Sequence, residues 1–209
     1  MKCIDSMKKL LVLFLLVGVS EGLFGQTNDL SQETIESFKA RCEETIEAFQ
    51  YGLEIIGDKS QERDVKLHYK ENILSFFIGN GLPYKDIDGR SYPAVKMETS
   101  TVRYNNVINK RTSTVKAYLD NLEELKYVEV KIEKAQSCVI SNLYKVGDRY
   151  QGTVSIFQYF TGRTKEGTIY RDRTQKDIKI YVTKVIDGSL GEFWELKLGD
   201  INVVETVKM

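Results

Sequence analysis

The chain has 209 residues, 42% hydrophobic and 29% charged, with 15 Gly and only 2 Pro, which is ordinary composition for one globular domain. Its 30 basic and 30 acidic residues cancel, and Lys2, Lys8 and Lys9 against Asp5 and Glu21 leave everything after residue 25 one charge negative. A chain so near neutrality has no bulk attraction for nucleic acid or for an anionic membrane surface, so neither is an expected partner.

Residues 1–25 have the three parts of a secretory signal. Lys2, Lys8 and Lys9 form the basic end, Leu10–Val17 the apolar stretch, and Ser20–Gly25 a small-residue region with Gly25 before the cut. The apolar run is shorter than the ~20 residues a membrane span needs. The run Gly22-Leu-Phe-Gly-Gln26 resembles signal ends of exported proteins from Bacteroidetes-type bacteria. No Cys follows the apolar stretch, so a lipid anchor is not expected. The expected organisation is a signal peptide over 1–25 and a single domain over 26–209, exported to the periplasm or secreted. In that oxidising space Cys42 and Cys138 are candidates for a disulfide, although buried, unbridged thiols are the commoner state of two isolated cysteines.

Helical periodicity begins near Asp29. Ile35, Phe38, Cys42, Ile46, Phe49, Leu53 and Ile56 recur at three and four residues, with Glu33, Glu36, Lys39, Arg41, Glu43, Glu44 and Glu47 between them. Asp29 with Gln32, or Ser31, is the expected cap, and Gly57-Asp58 the end. A second helix is expected from Asp58 or Ser60 to Ile78, burying Val65, Tyr69, Ile73 and Phe76 or Phe77 and stopped by Gly79-Asn80-Gly81. The only histidine, His68, lies beside that stripe without partners at a metal-binding spacing.

Leu82–Asn106 is less regular. Asp86-x-Asp88-Gly89 begins like a calcium loop but lacks the remaining ligands, so it reads as a turn. Val95–Val102 alternates as a strand, and Thr112 or Ser113 is the expected cap of a third helix burying Val115, Tyr118, Leu119, Leu122 and Leu125. After Lys126 the period drops to two. Val128, Val130 and Ile132 alternate with charges, and Cys138–Val146 and Tyr150–Phe160 follow across a turn at Gly147-Asp148. The last two strands are expected over Asp177–Val185 and Phe193–Leu198. Tyr150–Phe160 carries large side chains on both faces, so something must cover each.

This order predicts an α+β fold with three helices packed on one face of a curved antiparallel sheet. With the closing run Trp194-Glu-Leu-Lys-Leu-Gly-Asp-Ile-Asn-Val203, it resembles the cystatin-like cone of the nuclear transport factor 2-like superfamily, and exported Bacteroidetes proteins of unassigned function. The resemblance implies a conical pocket between helices and sheet, and dimerisation through the sheet, but transfers no catalytic residue.

No nucleophile elbow, zinc-protease helix, Cys-x-x-Cys or phosphate loop is present, so no metal and no cofactor is expected. The 12 Tyr, 9 Phe and single Trp, many on strands, favour a non-catalytic binding or assembly module whose partner is a small ligand, another protein or a second copy of the chain. Tyr159, Tyr181 and Trp194 are the candidate contact residues. The alternatives are a pocket enzyme of isomerase, dehydratase or hydrolase type, drawing on Asp177, Glu195 and Asp200 with those aromatics, and a carbohydrate-binding or adhesion protein.

Overall fold

A computed structural model describes residues 30–86, 89–102 and 108–209, the side chains of 134–138 excepted. The expected signal peptide over 1–25, Asp29, Asp88 and the Cys138 side chain therefore lie outside the described residues, so the expected disulfide concerns a side chain that is not described. The chain divides into two units, Met1–Thr34 and Ile35–Met209. In the first, Ser31 Oγ accepts a hydrogen bond from Thr34 N at 3.1 Å, the capping contact expected of that serine.

Helix α1 (Gln32–Gly57) buries the expected stripe: Phe38, Cys42, Ile46, Phe49, Leu53 and Ile56 are all inside. Asp58 then ends the run by folding its carboxylate onto Ser60 N and Ser60 Oγ, and α2 (Arg63–Ser75) follows. Its inward face differs from the expected one. Ile73 and Phe77 are buried as expected, but Val65 is exposed, and Lys66 and the Lys70 stem turn inward instead. Close approach of the helices fixes that rotation. Gly52 of α1 has no side chain, and a Cβ there would lie 2.7 Å from Ile73 Cδ1. On the far side Lys70 Nζ reaches Asp120 at 3.1 Å and Glu123 at 2.5 Å, both on α3 (Val115–Glu123). Long lysine stems cover apolar surface while the ammonium finds a partner, so they take inward positions a hydrophobicity pattern gives to Val65.

Gly79, Asn80 and Gly81 all have positive φ, the left-handed stop expected there. Beyond it come the hairpin β1 (Tyr84–Lys85) and β2 (Ser91–Tyr92), then β3 (Lys96–Val102) and β4 (Ile108–Thr114). Sequence periodicity misses β4. It is an edge strand with a single neighbour and one long run of polar side chains, so no alternating face marks it. The cap of α3 accordingly moves to Thr114, whose Oγ1 accepts from Ala117 N at 3.2 Å.

The remaining strands are β5 (Glu129–Ile140), β6 (Tyr144–Val146), β7 (Arg149–Arg163), β8 (Ile169–Asp187) and β9 (Gly191–Lys208). Cys138 belongs to β5, so the expected strand Cys138–Val146 is two elements. Spatial order is β4-β3-β9-β8-β7-β5, with β6 on β7, giving seven strands under three helices in an α+β fold. All pairs are antiparallel except β3 with β9, which run parallel through Met97 and Ile201, so the sheet is mixed. The inner face carries Met97, Val130, Ile132, Val154, Ile156, Ile178, Ile180, Val182, Leu198 and Ile201, all buried. A Cβ on Gly57 at the end of α1 would come within 3.0 Å of Val130, which shows how closely helix and sheet meet. On the outer face Phe157 is covered locally, with the Arg173 guanidinium 5.3 Å from its ring centre.

Candidate functional site: a polar half on the inner face of β8

Side chains two apart on a strand share a face. On β8 that rule puts Tyr170, Asp172, Thr174, Lys176, Ile178, Ile180 and Val182 on the inner face, in phase with the core. The second half of this row is apolar, as burial demands. The first half is not, yet Asp172, Thr174 and Lys176 are each about 5% exposed or less.

Register extends the polar patch sideways. Thr174 pairs with Gln158 on β7 and with Thr206 on β9, both buried. Thr174 Oγ1 donates to Asp172 Oδ1 at 3.3 Å and lies 3.1 Å from Thr206 Oγ1, whose hydroxyl also meets Ser100 Oγ on β3. Tyr170 Oη accepts from Val102 N at 3.1 Å, and its O–H bonds the Asp172 carboxylate. An aromatic wall closes the end of the patch. Tyr127 stands edge-on to Phe160 at 5.6 Å, Phe160 is 6.1 Å from Tyr170, and Gly162 leaves room for the Tyr127 ring, which would collide with any Cβ there.

The two ionisable groups are driven in opposite directions. Burial raises the Asp172 carboxyl above its ordinary range, held back by its bonds from Tyr170 and Thr174 and by the charge of Lys176. Burial lowers the Lys176 amine to about 8, with Asp172 opposing the shift. Among the described residues Lys176 makes no hydrogen bond or ion pair; its nearest neighbour of note is the Tyr118 ring of α3, 5.8 Å from Nζ. Burial, and then the Asp172 charge, push the Tyr118 hydroxyl well above the usual phenol range, so it stays a donor. A buried ammonium is costly unless paired, and Lys176 has only the Tyr118 ring and the charge of Asp172 beside it, so a ligand with a hydrogen-bond acceptor would find a use for it. Chemically the patch offers a carboxyl that holds its proton more tightly than usual, an amine that gives up its proton near pH 8, and phenol and hydroxyl donors.

The residues singled out from sequence are not brought together. Trp194 is on the inner face, opposite Lys184 and edge-on to Tyr150 at 5.6 Å, near the apolar end. Tyr181 and Tyr159 are on the outer face. Tyr181 is paired with Gln151, eight residues along β7 from Tyr159, so the two tyrosines are roughly 26 Å apart. Tyr159 borders a recess of about 470 Å³ with Glu129, Arg163 and Arg171. The carboxylates considered for catalysis have other duties: Asp177 accepts from Ser155 Oγ at 2.6 Å, Glu195 pairs with Lys197 at 3.0 Å, and Asp200 accepts from Lys96 N at 2.9 Å. His68 is exposed, its ring edge-on to Tyr69. Residue type alone does not reveal Asp172 and Lys176, because charged residues on strands usually face water. The signal that finds them is their phase with Ile178, Ile180 and Val182.

Comparison of the chain with protein-family models, with curated proteins and with solved structures finds no match.

Proposed function

We propose that this chain is an exported small-molecule binding protein of the nuclear transport factor 2-like kind, its ligand held between helices and sheet at the polar half of β8. The observation that carries the reading is Lys176, buried and without a hydrogen-bonding or ion-pairing partner among the described residues. An anionic or carbonyl group would supply that partner, with the Tyr118 hydroxyl as a neighbouring donor. Three helices on one face of the sheet support the resemblance, and the basic and apolar segments within residues 1–25 support export.

A thermal-shift screen of small carboxylates and carbonyl compounds, run on wild type and on Lys176→Met, tests it. Hits should raise the wild-type Tm and leave the variant's unchanged. Hits that stabilise both proteins equally would place the ligand elsewhere. A second reading, a pocket enzyme, is favoured by the opposed shifts of Asp172 and Lys176, which give an acid and a base on one strand. Under that reading the compounds found are turned over, with a pH profile that Asp172→Asn abolishes.

A further inference from the structure

A second constellation lies on the other face of the sheet. A cleft of about 440 Å³ opens between the β1–β2 hairpin, the turn from β6 to β7, and the outer side of β8 and β9, a size in the range of small-ligand sites. At its centre is Arg149. The guanidinium lies 5.6 Å from the Tyr92 ring centre and 6.0 Å from that of Tyr181, and it hydrogen-bonds the Tyr84 and Tyr92 side chains. Its ion pair among the described residues is Asp148, 3.6 Å away and 68% exposed, whereas the Arg149 side chain is 15% exposed. The cation is thus mostly buried against neutral groups and poorly neutralised.

The walls are fixed in advance. Tyr84 and Tyr92 stack with centres 4.9 Å apart and planes 11° from parallel, and Tyr92 Oη donates to Asp86 Oδ2 at 3.0 Å. Tyr84 sits on Gly79, and Tyr181 sits on Gly199; a Cβ at either glycine would collide with the ring. Two glycines that each seat one ring of the same cleft, with the third ring held by a carboxylate, make a prearranged surface rather than a chance gap between loops. Gln151, Lys96 and Asp200 add polar groups around it.

We propose that this cleft binds a sugar acid of the hexuronate class, its carboxylate on Arg149 and its apolar ring face on the tyrosines. A guanidinium with a single exposed counter-ion calls for a planar anion it can grip with two N–H groups. The stacked pair Tyr84–Tyr92 and the facing Tyr181 present flat apolar surfaces with polar rims, matching a pyranose ring that has one C–H face and equatorial hydroxyls. An aromatic acid would satisfy Arg149 but leave Gln151 facing carbon. A neutral sugar would leave the guanidinium without its anion.

Ligand-observed NMR and calorimetry on the full mature chain, with glucuronate, galacturonate, glucose and benzoate as probes, decide the point. At least one uronate should bind with Kd on the order of 1 mM or tighter, at least about tenfold more tightly than glucose or benzoate. Arg149→Lys, which keeps the charge but loses the planar fork, should weaken uronate binding severalfold, and Tyr181→Leu should do the same from the opposite wall. Equal binding of glucose and glucuronate overturns the acid requirement. Benzoate binding best in an Arg149-dependent way overturns the sugar. Binding of no probe, or binding indifferent to both substitutions, overturns the site. None of these results touches the inner-face reading, which stands on its own residues.

Discussion

Replacing Lys176 with Met tests the energetics of the inner face directly. The amine falls from 10.5 to about 8 on folding, a difference worth about 3 kcal/mol against the charged, folded state. The sign follows from proton counting. Between pH 8 and 10.5 the unfolded chain holds a proton on this lysine that the folded chain has released, so the lysine's unfavourable effect fades as pH rises through that window and is fully present below pH 8. Met keeps most of the stem's volume and removes the charge. Asp172 loses an attractive neighbour in the exchange, which offsets part of the gain. The net expectation at pH 7 is a variant more stable by about 1–3 kcal/mol, or roughly 3–10 °C in Tm for a chain of this size. The advantage should shrink toward zero by pH 10.5. Urea unfolding followed by the fluorescence of the single tryptophan, Trp194, at pH 6, 7, 9 and 10.5 measures it. A variant less stable than wild type at pH 7, or a stability gap independent of pH, would refute the account of Lys176 as a buried, unpartnered cation.

Asp172 has the opposite character. Its raised carboxyl means that the folded state holds the proton more tightly, so stability declines as pH rises from 3.8 toward the folded pKa; in Asp172→Asn that decline should vanish from the pH–stability curve. Thr114→Ala removes the N-cap of α3 and should lower stability by about 1 kcal/mol, whereas Thr112→Ala, expected from sequence to be a cap, should cost markedly less in the same denaturation assay. Gly52→Ala pushes a methyl group against Ile73 and should cost about 1–3 kcal/mol, with Ile73→Val in the same chain restoring part of it.

Much of the helical layer was legible because its signals are local. The α1 stripe, the Ser31 cap and the Gly79-Asn80-Gly81 stop all depend on neighbours within a few residues. The face of α2 was not, because Gly52 on another helix and the acids Asp120 and Glu123 on a third decide which way it turns. Parity along the expected strand Phe193–Leu198 puts Trp194, Leu196 and Leu198 on one side and Glu195 and Lys197 on the other, as the pairing with β8 has them. It could not say which strands would be neighbours, so Tyr181 and Trp194 ended on opposite faces and Tyr159 far from both. The polar patch escaped because residue type was weighed above phase: Asp172 and Lys176 look wet by composition and are buried by position. The cleft around Arg149 depends on three strands and two turns far apart in the chain, and of its lining only Tyr181 and Asp200 stand out in the sequence.

The place of β9 in the sheet has a kinetic meaning. It lies between β3 and β8 and is the only strand that joins the β4–β3 pair to the β8–β7–β5 block. Until Gly191–Lys208 is in hand, both groups present an open edge and neither can bury its inner face against the other's helices. Assembly therefore waits for the C-terminal strand, with long-range pairing as the slow step. The strand that arrives last in the chain order is thus the one that sits in the middle of the sheet.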